Sequence, residues 1–354
     1  MSSGLNKVPA PLRVVAIGGG TGLSTLLRGL KRYVQHPGNA ASSTIEPGCV
    51  DGPCLISHLA AVVTVTDDGG SSGRLRDDLH MLPPGDIRNC MTALSEDEHL
   101  LSQLFQFRFE NAGELSGHSF GNLFLAALAN ITGDFAQAVQ MSSQILATRG
   151  HIYPVTNTNV RLAALMDDGT IVHGETNITR SQRSITELML EPAEADPLPE
   201  TIESIAKADL ITLGPGSLYT SLVTNLLVRG IASALAQSKA TRVYVCNLMT
   251  QANESLGLTA SQHIEKILAH TRTDGQSDGR IFDYALINTA PISPALLEKY
   301  AREGQAPIEP DLDRVRALGV EPIAGNFLHE GDVLRHDYDK VATTLLDLAR
   351  RTRR

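Results

Sequence analysis

The chain has 354 residues, of which 42% are hydrophobic, 19% charged and 4% aromatic, and its formal net charge is −9. This composition supports a large aliphatic core and argues against a nucleic-acid binder, which would need a basic face to neutralise phosphates. The sequence has no run of about 20 apolar residues to span a bilayer and does not begin like a secretory signal peptide, so we expect a cytoplasmic protein.

The first half of the chain alternates between strand and helix signals. A continuous apolar run at 12–17 is typical of a strand buried on both faces, and leucines at helical spacing follow a glycine turn. Residues 34–57 are rich in Gly, Pro and Ser without periodicity, and we interpret them as a surface insertion. The remaining elements predicted here are a strand over 59–66 and helices over 85–95, 99–107, 119–131 and 135–146.

The second half begins with an antiparallel excursion. Residues 151–190 show alternating hydrophobicity around an Asp168-Gly169 turn, and we predict a β-hairpin excursion within one domain covering 1–354. Regular alternation then resumes, with predicted strands over 208–217, 241–249, 281–288 and 319–325 and helices over 260–270 and 339–351. The fold class is therefore α/β: a Rossmann-like doubly wound, mostly parallel sheet with a small antiparallel β insert.

The four cysteines offer no structural framework. Cys49, Cys54, Cys90 and Cys246 fit neither a disulfide pattern nor the spacing of a zinc site, and we expect reduced thiols.

Two glycine-rich turns follow predicted strands, where ligands of open parallel sheets bind. In such turns glycines let backbone amides approach an anion at a helix N-terminus. The alternatives are a tight turn without a ligand at the first site and simple helix capping by Ser217 at the second. Two cradles on neighbouring strand ends would suit a diphosphate. The candidate contacts in these turns are Gly18, Gly19, Gly20, Thr21 and Gly22, and Gly214, Pro215, Gly216 and Ser217.

The stretch "TDDGGSSGRLR" places two carboxylates at the end of the second strand, and we interpret the serines and glycines that follow as a flexible hydroxyl-rich loop. In dinucleotide folds an acidic residue here hydrogen-bonds ribose, and the paired Asp67 and Asp68 also fit a magnesium ion near phosphates. The alternative is that Asp68 only caps the loop.

Several polar side chains follow the same strand ends. Arg74 and Arg88 could clamp a phosphate or carboxylate. His118 is better explained as a core or capping residue than as the base of a nucleophile, because no triad-like pattern surrounds it. The further candidate contacts are Ser71, Ser72, Asn89, His118, Asn122 and Asn247.

Several long motifs of the chain resemble those of a known family. "AIGGGTGLSTLLRGLK", "TVTDDGGSSGRLRDDL", "PPGDIRNCMTALS", "LSGHSFGNLFLAALANITGDF", "LITLGPGSLYTSLVTNLLV", "VYVCNLMTQ" and "VLRHDYDKVA" occur in this order. Together they resemble the bacterial gluconeogenesis factor family, within the CofD-like superfamily of 2-phospho-L-lactate transferase. The resemblance covers residues 12–349.

The resemblance implies a regulator that binds a nucleotide sugar, UDP-N-acetylglucosamine in particular, through Arg335 of "LRHD". It implies links to gluconeogenic growth, cell shape and cell-wall precursor supply, with amino-sugar or cell-wall precursor enzymes as partners and a homo-oligomeric state. NAD or GDP are further possible ligands, and no established reaction accompanies this branch.

The transferase branch implies an alternative function. It would be a Mg-assisted transfer of a phospholactyl-type group from a nucleoside diphosphate carrier to a deazaflavin-like acceptor. There the acidic pair and Arg88 contact the acceptor, and the Gly-Pro turn holds the guanosine diphosphate. The chain departs from the family pattern at two places. Tyr338 stands where family members commonly have a phosphorylatable Thr, which puts regulation by phosphorylation there in doubt. Residues 252–255 replace a common P-G-E-T, which would change the shape of that loop.

Overall fold

Seven parallel strands form the central sheet in the computed structural model of the protein, which describes residues 10–35, 54–96, 100–110, 113–181, 183–251, 254–271 and 280–353. The strands are β1 (Leu12–Gly18), β2 (Ile56–Val63), β3 (His151–Pro154), β4 (Arg161–Met166), β5 (Ile171–His173), β6 (Ile185–Glu191), β7 (Leu210–Leu213), β8 (Thr241–Val245), β9 (Tyr284–Asn288), β10 (Glu321–Gly325), β11 (Leu328–Glu330) and β12 (Leu334–His336).

Helices cover both faces of this sheet. The α-helices are α1 (Gly20–Lys31), α2 (Gly70–Leu79), α3 (Gly85–Leu94), α4 (Leu100–Gln106), α5 (Phe120–Thr132), α6 (Phe135–Ile145), α7 (Glu175–Arg180), α8 (Pro199–Ala206), α9 (Thr224–Leu227), α10 (Ile231–Gln237), α11 (Ala260–His270), α12 (Pro294–Ala301), α13 (Leu312–Ala317) and α14 (Tyr338–Thr352). A π-helical segment, Leu218–Val223, runs directly into α9.

The strand order of the central sheet is β3-β2-β1-β7-β8-β9-β10, and all neighbours pair in parallel. From β1 the chain moves outward in one direction to β2 and β3, and later returns to β7 on the other side of β1. The strand order therefore reverses between β1 and β7. This confirms the predicted doubly wound fold, and in such folds ligands bind in the crevice beyond the ends of the two strands where the order reverses.

The continuous apolar runs of β1 and β2 are explained by their position at the sheet centre. Val14 to Ile17 and Leu59 to Val63 are each at most 1% exposed, because helices cover both sides. The predicted leucines of α1 form its buried stripe, which confirms the 3.6-residue period seen in the sequence.

The antiparallel insert is smaller and starts later than the predicted excursion over 151–190. β3, at His151–Pro154, pairs with β2 in the parallel sheet, and the antiparallel sheet comprises three strands in the order β5-β4-β6. A separate hairpin, β11–β12, precedes the last helix.

The structure describes only part of the predicted surface insertion and only some of the four cysteines. Residues 36–53 of the insertion over 34–57, with Cys49 among them, lie outside the described residues. Cys90 and Cys246 are free and buried, as expected. The prediction was wrong for Cys54, which takes part in a disulfide bond.

Within the described ranges, no single helix is long and apolar enough to cross a membrane. The bent helix pair Leu218–Leu227 and Ile231–Gln237 meets the length and composition requirement only when its two parts are combined.

Candidate functional site

The loops after β1 and β7 lie against each other where the strand order reverses. Gly22, in the first turn of α1, packs on Pro215 so closely that a Cβ atom would come within 3.0 Å of the Pro215 carbonyl oxygen. Gly20 adopts a φ of +62°, in the left-handed region that favours glycine. Gly19, the residue before α1, has no side chain to cap the helix, and Asp86 accepts from the Gly20 amide. The later amides of the first turn have no acceptor among the described residues and remain available as donors.

These loops line a cleft of ≈ 390 Å³, which we call the switch-point cleft. The cleft brings together Gly19–Gly22 and Pro215–Ser217 of the predicted glycine turns with Asn247 and Arg335. Gly214 does not line it, and its amide donates to the Ile17 carbonyl at 2.9 Å. Gly18 lies outside it, because its carbonyl ends β1 and accepts hydrogen bonds from the Thr64 amide and Asn225 Nδ2. The lining residues are Gly19–Gly22, Thr25, Pro215–Ser217, Ser221, Asn247–Met249, Gln251, Tyr300, Gln305 and Leu334–His336.

Two amide side chains hold the second glycine turn. Asn247 donates to the Gly216 carbonyl at 2.7 Å and accepts from the Gly216 amide at 3.1 Å. Gln251 Nε2 donates to Ser217 Oγ at 2.9 Å. Asn247, predicted as a ligand contact, therefore has a demonstrable role in fixing the turn that lines the cleft.

The predicted capping of the following helix by Ser217 is wrong, because the side chain of Ser217 makes no cap hydrogen bond. Glu254 Oε1 instead accepts from the amides of Tyr219 and Thr220, at 2.8 and 3.0 Å. Burial raises the pKa of Glu254, and these two amides partly oppose the shift. A carboxylate of the chain thus occupies the helix start that the sequence offered as a second anion cradle. Anion donors in the cleft must come mainly from the first turn of α1.

Arg335 supplies the side-chain cation of the cleft. It lies on β12, is exposed, and has no ion pair within the described part of the chain. The next residue, His336, joins the hairpin to the end of β8 through Nε2 and the Cys246 carbonyl at 3.0 Å. Burial lowers the pKa of His336 to about 4, so the ring is neutral at physiological pH and Nε2 donates this bond.

Four carboxylates gather beside the glycine turn, and we call Asp67, Asp68, Asp86 and Glu175 the acidic arm. Asp67 Oδ1 accepts from the Gly69 amide at 2.9 Å, so the Asx-turn expected of Asp68 belongs to Asp67. Asp68 Oδ1 instead accepts from the amide and hydroxyl of Thr176 at the start of α7. The two side chains of the predicted acidic pair therefore have different partners: Asp67 bonds within its own loop, and Asp68 bonds the antiparallel insert.

Asp86 is the functional candidate that sequence reasoning missed. It lies at the start of α3 and reaches the first glycine turn, where a Cβ atom on Gly19 would be 2.8 Å from Asp86 Oδ2. Burial, and secondarily the charge of Asp67, raises the pKa of Asp86 to about 7, against a hydrogen bond from Gly20. Its position after "PPG" at a helix start, two residues before Arg88, was the available signal.

Glu175 completes the acidic arm from the antiparallel insert. Thr66 Oγ1 donates to Glu175 Oε2 at 3.3 Å. Burial raises the pKa of Glu175 well above its ordinary value, with contributions from the charges of Asp67 and Asp86. The sequence carried no signal for Glu175, because its approach depends on how the insert packs.

Arg88 and its neighbours form a polar network behind the acidic arm. Arg88 donates to Ser119 Oγ at 2.6 Å and to Asn89 Oδ1 at 2.7 Å. Its Nε is buried without a hydrogen-bond partner. The cap of α5 is Ser119 and not His118; His118 is buried, so of the two expected roles the structure supports the core one.

His118 lies in a buried hydrogen-bond chain. Ser71 Oγ lies 3.0 Å from His118 Nδ1 and accepts from Asn122 Nδ2 at 3.1 Å. Burial lowers the pKa of His118, and the charge of Arg74 acts in the same direction. Asn122 Oδ1 is buried without a partner.

The stretch predicted as a flexible hydroxyl-rich loop is instead the start of α2. Ser71 and Ser72 are buried in its first turn, while Arg74 points away to the Ser116 carbonyl at 2.7 Å. The structure thus places Ser71 and Ser72 near the acidic arm and Arg74 at the rim.

The residues fit a divalent cation only in a restricted way. Within the described residues, no group of three His, Cys, Asp or Glu side chains is arranged to hold a metal ion. Asp67 and Asp86 interact electrostatically, and Mg²⁺ is commonly held by one or two carboxylates with phosphates and water completing its shell. A magnesium ion at this position would need a bound phosphate.

Comparison with known proteins identifies the family. The sequence profile of 2-phospho-L-lactate transferase CofD matches residues 14–328. A gluconeogenesis factor of Halalkalibacterium halodurans is 47% identical over 340 residues, 96% of this chain and 97% of that protein. One from Bacillus subtilis is 44% identical over 337 residues, 95% and 98% of the two chains.

Solved structures agree with this assignment. A crystal structure of a Bacillus halodurans protein superposes with a TM-score of 0.85 at 46% identity, covering 95% of this chain and 100% of the other. The fold, the ordered motifs and the full-length similarity lead to one conclusion: the chain belongs to the CofD family, in its gluconeogenesis factor branch.

Proposed function

We propose that the protein binds a nucleotide sugar of the UDP-N-acetylglucosamine type in the switch-point cleft and acts as a cytoplasmic regulator. The observation that carries this proposal is the first turn of α1, whose amides after Gly20 have no acceptor among the described residues and open into the same cleft as the unpaired Arg335. Backbone amides at a helix start and a guanidinium are complementary to a diphosphate. Leu248 and Met249 offer an apolar wall for the remainder of the ligand.

The relatives named gluconeogenesis factor support a role in growth on gluconeogenic carbon. In this role, the amount of bound ligand would reflect precursor supply, and the protein would regulate enzymes of amino-sugar or cell-wall synthesis accordingly. A regulator needs binding without turnover, and in this cleft Asn247 fixes the second glycine turn while Glu254 holds the helix start that follows it.

Calorimetry tests the ligand class directly. UDP-N-acetylglucosamine should bind more tightly than UMP or free N-acetylglucosamine, with NAD and GDP as competing candidates. Arg335→Lys should weaken binding about tenfold, because lysine loses the two-pronged geometry. Arg302→Lys is the matched control, since Arg302 is exposed directly after α12. Equal affinity for UMP and the nucleotide sugar would contradict the diphosphate assignment.

A transferase is the second candidate, favoured by the position of Asp67 and Asp86 beside the first glycine turn and supported by the family profile. These carboxylates would hold Mg²⁺ against the diphosphate, and the ion would stabilise charge on the leaving nucleoside phosphate. Arg88 would orient an acceptor. The test is release of nucleoside monophosphate from a nucleoside diphosphate esterified to lactate, whose phospholactyl group passes to a deazaflavin acceptor in the presence of Mg²⁺. Release that persists unchanged in Asp86→Asn would exclude this role for the pair.

A further inference from the structure

A second cavity lies at the far end of α1. This helix has 12 residues and so is about 18 Å long. Its first turn opens into the switch-point cleft, whereas its last turns line a cavity of ≈ 600 Å³ bordered by α3, α4 and α14. We call this the basic cavity, because its walls carry Arg28, Lys31, Arg32 and Arg149. It shares no lining residue with the cleft.

The described residues that line the basic cavity include four basic side chains and one carboxylate, that of Glu96. Arg149 pairs with Glu96 at 2.9 Å. Arg32 pairs with Asp339 on α14 at 2.6 Å. Arg28 is exposed and makes no ion pair or hydrogen bond within the described part of the chain.

Contacts with carbonyls at helix C-termini account for only some of the basic side chains in the cavity. Lys31 is 8% exposed, and its Nζ donates to the Ser95 carbonyl at the end of α3, as basic residues at helix C-termini do. Arg28 donates to no such carbonyl. Arg149 Nε is buried without a hydrogen-bond partner, although buried polar groups are normally paired. Two guanidinium groups therefore have unused donors in the wall of one cavity.

We propose that the basic cavity is a second ligand site, for a small phosphorylated metabolite. Guanidinium groups bind phosphate through paired, charge-assisted hydrogen bonds. The volume falls in the range of small-molecule sites and exceeds what inorganic phosphate alone requires. Thr92, Ser102 and Tyr338 add hydroxyl groups to the same walls, and these would contact the polar body of the metabolite. This site is independent of the proposed nucleotide-sugar site.

The experiment is calorimetry on the full chain with glucose 6-phosphate as the probe, and glucose and inorganic phosphate as comparisons. Glucose 6-phosphate should bind saturably and more tightly than inorganic phosphate, and glucose should not bind. Arg28→Gln should weaken binding at least about tenfold, as expected for a lost charge-assisted hydrogen bond. Because Arg28 is exposed and unpaired, the melting temperature of this variant should match that of the wild type.

Two further variants separate the alternatives. Arg302→Gln removes an exposed arginine elsewhere and should leave the affinity unchanged. Arg335→Lys should also leave it unchanged, because Arg335 belongs to the switch-point cleft. The proposal is overturned if no saturable binding occurs, if Arg28→Gln binds like the wild type, or if Arg335→Lys abolishes binding and so assigns the probe to the cleft.

Discussion

Gly22 of the first glycine turn and Pro215 of the second are in direct backbone contact, so closely that no side chain fits between them. This contact joins the loops of the two strands between which the sheet order reverses. It aligns the start of α1 with the turn that Asn247 holds from β8. The close packing of the two loops that line the cleft therefore requires glycine at position 22.

Gly22→Ala should destabilise the protein even though alanine is the better helix former. Alanine would gain about 1 kcal/mol in helix propensity, but its Cβ would meet backbone that cannot rotate away, and overpacking of this kind costs about 1–3 kcal/mol. Nucleotide-sugar affinity should fall as the loops separate. Urea unfolding and calorimetry measure both effects.

Gly331→Ala is the control for this substitution. Gly331 has no neighbour of its Cβ position nearer than 3.9 Å and needs no positive φ, so alanine should be tolerated. A Gly22→Ala variant as stable as Gly331→Ala would show that the two loops can move apart freely.

Asp86→Asn should stabilise the ligand-free protein at alkaline pH. The folded-state pKa of Asp86 is raised to about 7, so its contribution to stability is fully present below pH 4 and is lost as the pH rises through 7. Asparagine does not ionise. The variant should exceed the wild type at pH 8 by about 1–3 kcal/mol in free energy of unfolding, and this difference should vanish near pH 4.

Asp347→Asn, at an exposed position of α14, provides the comparison and should show no such pH dependence. Parallel stability curves for Asp86→Asn and the wild type between pH 4 and 8 would refute the assignment of the buried charge to Asp86.

Features encoded within a short stretch could be predicted from the sequence. The buried strands followed from apolar runs, and the glycine turns followed from the backbone geometry that only glycine allows. The position of the cleft then followed from the rule that doubly wound sheets bind ligands where their strand order reverses. Arg335 entered through the family resemblance, and the structure places it in the same cleft.

Features that depend on which elements pack together could not be predicted in this way. Glu175 reaches the acidic arm only because the antiparallel insert folds over β2. Glu254 replaces Ser217 as the helix cap across 34 to 35 positions of sequence. The serines after the acidic pair read as a loop because glycines surround them, yet tertiary packing makes them the first turn of α2.

Substitutions of Glu254 should separate its charge from its capping role. Glu254→Ala leaves the amides of Tyr219 and Thr220 without an acceptor, at a cost of about 1–3 kcal/mol. Glu254→Gln keeps an oxygen at that position and should cost less than about 1 kcal/mol. Nucleotide-sugar affinity should be equal or tighter in Glu254→Gln, because a negative charge near the diphosphate is removed.

Glu298→Ala, an exposed change on α12, serves as the reference for stability. Equal losses in Glu254→Gln and Glu254→Ala would contradict the capping role and assign the effect to the carboxylate charge.

Titration of His336, which adjoins Arg335, should make the stability of the protein depend on pH. The pKa of His336 is lowered to about 4 by burial, so its contribution to stability is present above the ordinary value near 6.5 and is lost as the pH falls through 4. The wild type should lose about 1–3 kcal/mol over this interval. His336→Gln should remove that pH dependence, because glutamine keeps an N–H donor that can reach the Cys246 carbonyl but does not titrate.

The same substitution distinguishes positioning from simple packing. If the bond to Cys246 holds β12 in place, His336→Gln should retain nucleotide-sugar affinity near the wild-type value, while His336→Ala should weaken it about tenfold at pH 7.5, where both variants are folded. His329→Gln alters an exposed histidine on the neighbouring strand β11 and should change neither quantity. Equal affinities in His336→Ala and the wild type would show that Arg335 finds its position without this hydrogen bond, and the hairpin would then be held by its contact with α12, where Tyr300 Oη accepts from the Leu334 amide.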